Sequence, residues 1–417
     1  MTEPIRILHF ADVHIGMENY GKTDPRSGLS SRVVDFLRRM DDMIAYARDH
    51  DVDLTIFAGD AFKTRSPNPT FQREFAWRVR DLAELAPLVL LVGNHDLPPT
   101  ILKASSIEIY DTLAVPNVWV AGEYDVRQID TKRGPVIVGA APYPVRSRLL
   151  QEVDTAGMTI AQIDARLEEE LTAILDDMAE QADQHDMPRL LTGHFTVSGA
   201  AVGSERHIML GRDVAVGLAS VADPRWDYVA LGHVHKHQNL TRNQAETPPV
   251  VYSGSMERID FGEEGDPKGF CWVELSRGEA NWQFIEVDAR PFVTLRADLR
   301  ADNDPTQVLI SQVQGHNLRD AVVRLLIDLS PENEPRFSEA TVREALRQAN
   351  VYHLAGMRKS IDQPDRARLG TNPEGLTTEE LLERYLISKE TPATRREELL
   401  EAARMVFDAV DGRGEGG

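Results

Sequence analysis

Short apolar runs in this chain repeatedly end in small polar clusters. Residues 5–10 lead into Asp12-Val13-His14, 54–58 into Gly59-Asp60, 88–92 into Gly93-Asn94-His95-Asp96, 190–192 into Gly193-His194, and 228–231 into Gly232-His233-Val234-His235. Continuous apolar runs of this length, bounded by turn residues, read as strands buried on both faces. Between them lie segments with helical spacing. Val33, Phe36, Leu37, Met40 and Ile44 mark one over 32–49, and others cover 71–85 and 101–113. Ile160, Ile163, Leu167, Leu171, Ile174 and Met178 line a long one over 158–183. Alternation of buried strands and helices restricts the fold to the α/β class, with helices covering sheet faces. The carboxyl ends of strands form the ligand-binding edge of such sheets. All five clusters stand at such ends, so side chains distant in sequence can converge there.

Further strands are expected at 118–121, 126–131 and 136–140. Those at 250–252, 270–275 and 282–287 read as an antiparallel finish to a second sheet. Residues 1–288 therefore read as a sandwich of two sheets flanked by helices. A different pattern opens at Arg290-Pro291: strand 292–299, helix 305–314, strand 321–329, helix 339–348 and strand 351–357, which makes 289–361 a small α+β cap domain. Residues 362–378, rich in Pro, Asp, Arg and Gly, read as a linker. The segment 379–411 reads as two amphipathic helices, the second begun by Thr391 as N-cap before Pro392, or by Thr394 with Glu397 as a capping box. Residues 412–417 read as a disordered tail.

The residue types limit the chemistry. With Cys271 the only cysteine, internal disulfides and thiolate metal sites are excluded, and any metal must rest on His, Asp, Glu or Asn. Such oxygen and imidazole donors suit manganese, iron or zinc, and the lack of sulfur leans toward manganese. The five clusters supply donors for two such ions and leave one histidine spare. Two ions about 3.5–4 Å apart can share a carboxylate and stabilise both the attacking and the leaving oxygens of a phosphoryl displacement. A formal charge of −21 argues against a protein that coats nucleic acid by itself. A partner can supply the basic surface. No apolar run of about 18 residues suggests a membrane span, and the N-terminus enters a strand pattern at once, so a cytoplasmic protein is expected. Among the other histidines, His9 reads as packed within the first strand. His50, His185, His316 and His353 lie in polar or helical settings, and His207 and His237 neighbour the site loops as candidates for touching substrate.

The order D-x-H, G-D, G-N-H-D, G-H, G-H-x-H resembles the calcineurin-like metallophosphoesterases. Leu8-His9-Phe10-Ala11-Asp12-Val13-His14-Ile15-Gly16 narrows the resemblance to the SbcD and Mre-type DNA repair nucleases. So do Gly59-Asp60-Ala61-Phe62 followed by Arg65-Ser66-Pro67, and Tyr252-Ser253-Gly254-Ser255-Met256-Glu257-Arg258-Ile259-Asp260-Phe261-Gly262-Glu263. The broad likeness spans residues 5–288; the cap and two-helix tail support the narrow one.

Carried over by position, the resemblance implies that Asp12, His14 and His235 hold one metal ion and Asn94, His194 and His233 the other, with Asp60 bridging. It places His95 against the scissile phosphate, where it stabilises charge or protonates the departing oxygen, and gives Asp96 the turn to orient. Lys63, Arg65, Ser253 and Ser255 are candidate substrate contacts. The implied activity is a two-manganese DNA exonuclease and endonuclease that processes DNA ends in double-strand-break repair, on the nucleoid. Its implied partners are DNA, an SMC-like ATPase (SbcC) bound through the C-terminal helices, and a second copy of the chain met through helices 71–85 and 101–113. One position departs: relatives often carry His or Asp where Lys63 stands, partnering the G-N-H-D histidine. A carboxylate there would favour imidazolium and an ammonium would disfavour it, so Lys63 either contacts phosphate or turns to solvent. Two other readings stand beside this one: a metallophosphoesterase for small phosphodiesters or phosphomonoesters, and a non-catalytic scaffold for the ATPase. The complete donor set and His95 weigh against the scaffold.

Overall fold

The computed structural model describes residues 3–411 apart from 99–102, 152, 202, 204–212, 245, 363–376 and 390, with the backbone alone at 388 and 405–411. The chain divides into two compact units. One comprises Met1–Leu295, Gln312–Leu325 and Arg343–Met357, the other Arg296–Ser311, Leu326–Val342 and Arg358–Gly417.

Two six-stranded sheets dominate the first unit. One runs Glu279–Glu286, Gly269–Ser276, Ile5–Phe10, Leu54–Phe57, Leu88–Leu91, Val118–Ala121 in spatial order. The other runs Gln238–Asn239, Val250–Tyr252, Tyr228–Gly232, Arg189–His194, Gly134–Ala141, Asp125–Thr131. Successive side chains on a strand face opposite ways, and the apolar runs use both faces. Ile5, Ile7, Leu54, Ile56, Val89 and Leu91 share one buried cluster with Val136, Val138, Leu190, Tyr228, Ala230 and Val251 of the second sheet. The alternate residues Leu8, Phe10, Phe57, Leu88 and Leu90 pack against Val33, Met40, Phe75, Val79 and Leu82 from helices Ser31–Asp49 and Pro69–Leu85. On the second sheet, Ile137, Leu191 and Val229 meet Leu167, Leu171, Leu175 and Met178 of helix Ile160–Asp183. Each fully buried Val, Leu, Ile or Phe contributes about 1.5–3 kcal/mol. Burial on both faces is why the runs are continuous rather than alternating.

Two expectations need correction. Strands Gly269–Ser276 and Glu279–Glu286 close the first sheet, not the second: Gly269–Ser276 returns antiparallel beside Ile5–Phe10, with Leu275 opposite Ile5 and Cys271 opposite His9. Val250–Tyr252 does join the second sheet, but parallel to Tyr228–Gly232. Apolar strands of this kind can serve either sheet, and their sequence does not say which edge they take. The helix expected over 101–113 is Ile109–Thr112 among the described residues. Asp96 takes the preceding segment for itself: its carbonyl accepts from Ser106 N at 2.8 Å and its carboxylate from Ser106 Oγ at 3.3 Å. Ser105 N donates to the Glu108 side chain at 3.0 Å. These bonds stabilise a turn at the expense of helix.

Strands Phe292–Asp298, Val322–Leu329 and His353–Ile361 form a three-stranded sheet in that order. Arg290, just past the composition change at residue 289, is built into the first unit. Its guanidinium binds the Asp35 carboxylate with two contacts of 2.7 Å and lies 3.6 Å from the Tyr352 ring centroid. In the second unit, Thr377 and Glu380 make the capping box of helix Thr378–Ser388, which pairs Glu379 with Arg404 of helix Ala393–Asp411. Leu386 is buried there, whereas Tyr385 and Ile387 are about half exposed, at 53% and 50%.

Candidate metal centre

The strand ends do more than bring loops together; they hold them in unusual backbone shapes. Asp12, His14, Asp60 and His233 have φ of 54°, 47°, 64° and 91°, a region that costs a side-chain-bearing residue energy and persists where its surroundings over-determine it. The surroundings here are main-chain bonds between the loops. Asp12 N donates to Gly59 O at 3.0 Å, Val13 N and His14 N to Asp60 O at 3.0 and 3.1 Å, and Ile15 N to Ala61 O at 2.9 Å. His233 N donates to both Asp12 carboxylate oxygens, at 3.1 and 3.0 Å. Two cluster glycines are explained by the same closeness. A Cβ on Gly232 would lie 2.1 Å from Ala58 O, and one on Gly59 (φ +97°) would lie 2.4 Å from His194 Nδ1.

The side chains converge as the sequence suggests. Asp12, His14 and His235 bring donor atoms within 4.8 Å of one another, as do Asp12, Asp60 and His194, and His14, Asp60 and His95. His14 Nε2 is 3.0 Å from His235 Nε2. Asn94 Oδ1 lies 3.1 Å from His194 Nε2 and 3.2 Å from His233 Nδ1. Between these groups stands Asp60 Oδ2, 3.7 Å from His14 Nε2 and 3.4 Å from His194 Nε2. Bonds of about 2.0–2.2 Å put two donors on one ion roughly 3–3.5 Å apart, close to these separations.

The far side of the rings says which nitrogen faces inward. His194 Nδ1 meets Ala58 O at 2.6 Å, His235 Nδ1 meets Glu263 Oε1 at 2.8 Å, and His233 Nε2 meets Asp213 Oδ2 at 2.7 Å. Each partner is an acceptor, so that nitrogen carries a proton and the other nitrogen is left facing the cluster. Three inward-facing imidazole nitrogens, carboxylates at Asp12 and Asp60, and the Asn94 amide oxygen fit a dinuclear divalent metal site.

The buried carboxylates are electrostatically distinct. Burial pushes Asp60 up, but His194, His95 and His14 outweigh it and hold its carboxyl well below the usual range. Burial and then the Asp60 charge push Asp96 upward, opposed by amide donors from Gly93 and Asp60. Asp96 therefore serves the turn: its oxygens accept from Asp60 N at 2.8 Å, Gly93 N at 3.0 Å and Ala61 N at 3.0 Å.

His95 sits at the rim. Its main-chain N donates to Asp60 Oδ1 at 2.8 Å, and its Nδ1 meets the Lys63 carbonyl, also at 2.8 Å. Residue 63 thus partners His95 through its main chain. Lys63 and Arg65 are half-buried on the loop after Asp60. Ser253 and Ser255 are fully buried, with hydroxyls directed to Gly254 O and Glu257 O, and lie away from any open face. His237 stacks on Phe284 with centroids 4.0 Å apart and is not part of the cluster. His207 lies outside the described residues. His9 is buried between the Tyr228 hydroxyl and the Leu231 carbonyl, with each ring nitrogen 3.2 Å from its partner. Sequence reasoning gave no role to Asp213, Glu263 or Lys268, none of which stands at the carboxyl end of one of the five apolar runs, although Glu263 closes the motif segment that begins at Tyr252.

Comparison with known proteins follows the same residues. Residues 5–237 match the calcineurin-like phosphoesterase family. The chain is 28% identical over 306 residues to the SbcD component of the SbcCD nuclease of Bacillus subtilis, covering 70% of this chain and 72% of that protein. It is 26% identical over 403 residues to the same component of the SbcCD nuclease of Escherichia coli K12, covering 87% and 95%. A solved dimetal phosphatase from Danio rerio covers 68% of this chain and 99% of its own at 10% identity, and its TM-score of 0.39 is too low to bear on the fold. The family match runs from the first strand past His235 and includes every donor of the cluster; this chain belongs to the calcineurin-like phosphoesterase family.

Proposed function

We propose that the chain is the nuclease component of a two-component DNA-processing enzyme, a metal-dependent phosphodiesterase acting with an SMC-like ATPase. The observation that carries this reading is the convergence of aspartate and histidine donor atoms around Asp12 and Asp60, in a chain similar along most of its length to the SbcD components of SbcCD nucleases. In this assignment Asp12, His14 and His235 hold one cation, Asn94, His194 and His233 the other, and Asp60 bridges. Manganese suits oxygen and imidazole donors without sulfur. When bound, two divalent ions supply electrostatic stabilisation to the attacking and leaving oxygens of phosphodiester hydrolysis.

The remaining work falls to side chains. With its Nδ1 proton held by the Lys63 carbonyl, His95 turns Nε2 toward the cluster, the atom suited to exchange a proton with the departing oxygen. Lys63 and Arg65 meet the DNA phosphates; Ser253 and Ser255 are not assigned to substrate. Residues 1–288 form the nuclease domain, 289–361 a cap, 362–378 a linker and 379–411 the segment that docks the ATPase, with Tyr385 and Ile387 exposed on it. A second copy meets the face of Pro69–Leu85 and Ile109–Thr112, where Trp77, Ile109 and Leu113 are exposed apolar groups. The charge of −21 is consistent with a DNA path completed by the ATPase on the nucleoid.

The test is cleavage of linear duplex, hairpin and single-stranded DNA, and of a small phosphodiester, with manganese and with or without the ATPase. Metal-dependent DNA cleavage enhanced by the ATPase is expected. Hydrolysis of the small ester with no preference for DNA would assign the chain to small substrates. A metal-loaded chain inert toward both would make it a scaffold.

A further inference from the structure

The turn Gly232-His233-Val234-His235 presents two imidazoles, and each has a different carboxylate behind it. Behind His235 is Glu263, fully buried, whose Oε1 meets His235 Nδ1 at 2.8 Å. Its Oε2 accepts from Ile259 N at 3.0 Å and from Lys268 Nζ at 2.8 Å. Lys268 is itself only 1% exposed, and its two other bonds go to the His235 carbonyl at 3.2 Å and to Ser255 Oγ at 2.7 Å. All three ammonium protons are thus used. Behind His233 is Asp213, whose Oδ2 meets His233 Nε2 at 2.7 Å and also accepts from Thr196 Oγ1, while Oδ1 accepts from the Tyr143 hydroxyl at 3.0 Å.

We infer that Glu263 and Asp213 are positioning residues for opposite members of the metal pair. Glu263, charge-balanced by Lys268, orients His235 toward the ion shared with Asp12 and His14. Asp213, braced by Thr196 and Tyr143, orients His233 toward the ion shared with Asn94 and His194. This rests on the donor assignment proposed above.

The physical case begins with the imidazole. A ring held by one N–H can neither spin nor present that nitrogen to a cation, so an acceptor behind it fixes both tautomer and direction. Burying an ion pair is expensive unless its geometry and hydrogen bonds are good. In the Glu263–Lys268 pair, one bond from each member lands on His235, one on the ring and one on its carbonyl. Both the ring and its backbone are therefore clamped. Asp213 performs the ring half of this task for His233, whose main-chain N is already held by Asp12.

Manganese titration calorimetry of the full chain tests the assignment, with urea midpoints measured on every variant. Glu263→Ala should weaken one of two binding steps by about 10- to 100-fold and leave the other, and Asp213→Ala should do the reverse. With one position disabled by Asn94→Ala, the remaining step should respond to Glu263→Ala alone; in a His14→Ala background it should respond to Asp213→Ala alone. If Glu263→Ala does not fold, Glu263→Gln with Lys268→Met removes the buried charges together and keeps an acceptor for His235, and should retain both steps. Loss of both steps by either alanine variant, or of neither, would overturn the inference, as would failure of that double variant to bind the ion it is meant to keep. A parent chain that binds fewer than two ions would instead refute the donor assignment beneath it.

Discussion

Asp96 offers a perturbation whose size can be worked from the structure. It makes no contact suited to catalysis, yet its buried carboxylate takes three main-chain N–H groups, from Asp60, Ala61 and Gly93. Those bonds hold the turn in which Asp60 adopts its left-handed backbone. In Asp96→Ala all three amides lose their partner. At about 1–3 kcal/mol for each orphaned buried donor, the loss is roughly 3–9 kcal/mol, comparable with the about 5–15 kcal/mol that separates folded from unfolded states in typical domains. Asp96→Asn is gentler. Its amide oxygen can take the Oδ2 place and keep Asp60 N and Gly93 N, but its NH2 then confronts Ala61 N–H, so one donor is orphaned at about 1–3 kcal/mol. Urea unfolding in the presence of a chelator measures this apart from stabilisation by bound ions. The asparagine variant should fall by that amount and the alanine variant by considerably more. Because Asp60 Oδ2 stands between His14 and His194, manganese affinity should weaken at both positions together. An alanine variant as stable as the parent, with both ions at parental affinity, would refute the role given to this turn.

Three further outcomes are expected. His95→Asn should retain two manganese ions by calorimetry while turnover falls about 10²–10⁴-fold; normal hydrolysis would remove His95 from the chemistry. Asp60→Ala should lose ion occupancy at both positions, and a doubly loaded variant by metal analysis would count against bridging. His9→Gln should flatten the acid limb of stability in chelator-treated protein. Burial lowers the His9 imidazole from 6.5 to about 3, so between those values the unfolded chain takes up a proton that the folded chain refuses. Its stabilising effect is complete above about pH 6.5 and is lost on acidification by at most about 1.4 kcal/mol per pH unit. Parallel urea midpoints for variant and parent between pH 7.5 and 5 would show that His9 does not titrate this way.

The convergence of these side chains is legible because two separate signals coincide in sequence: an apolar run, whose burial on both faces fixes a strand, and a polar cluster at its carboxyl end. Nothing similar marks Asp213 or Glu263. Glu263 lies 28 residues from His235, and only the return of the chain through Ser253–Lys268 places it behind the ring. Ser255 misleads for the complementary reason: its motif is conspicuous, but its hydroxyl spends itself on Lys268 and Glu257 O inside the protein. Among the described residues of 103–113 the apolar spacing overstates the helix, because the competing hydrogen bonds from Asp96 and Glu108 are set by the turn beside the cluster. The two-sheet assignment fails at Gly269–Ser276 because apolar content fixes burial and leaves the partner strand open.

Lys63 shows how far main-chain geometry governs this centre. A lysine in that position suggests an ammonium acting on His95, and hence a different protonation state from relatives with His or Asp. The contact that exists, however, is between His95 Nδ1 and the Lys63 carbonyl, and Lys63 N is tied in turn to Ile15 O at 3.0 Å. Any residue at 63 supplies that carbonyl, and any but proline that amide. The loop after the first strand and the loop after Leu54–Phe57 are joined from Asp12 to Lys63 by successive main-chain bonds, and these same bonds stabilise the left-handed backbone at Asp12, His14 and Asp60. The direction and tautomer of His95 are consequently set by the pairing of two loops. The side chain of residue 63 takes no part in those main-chain bonds.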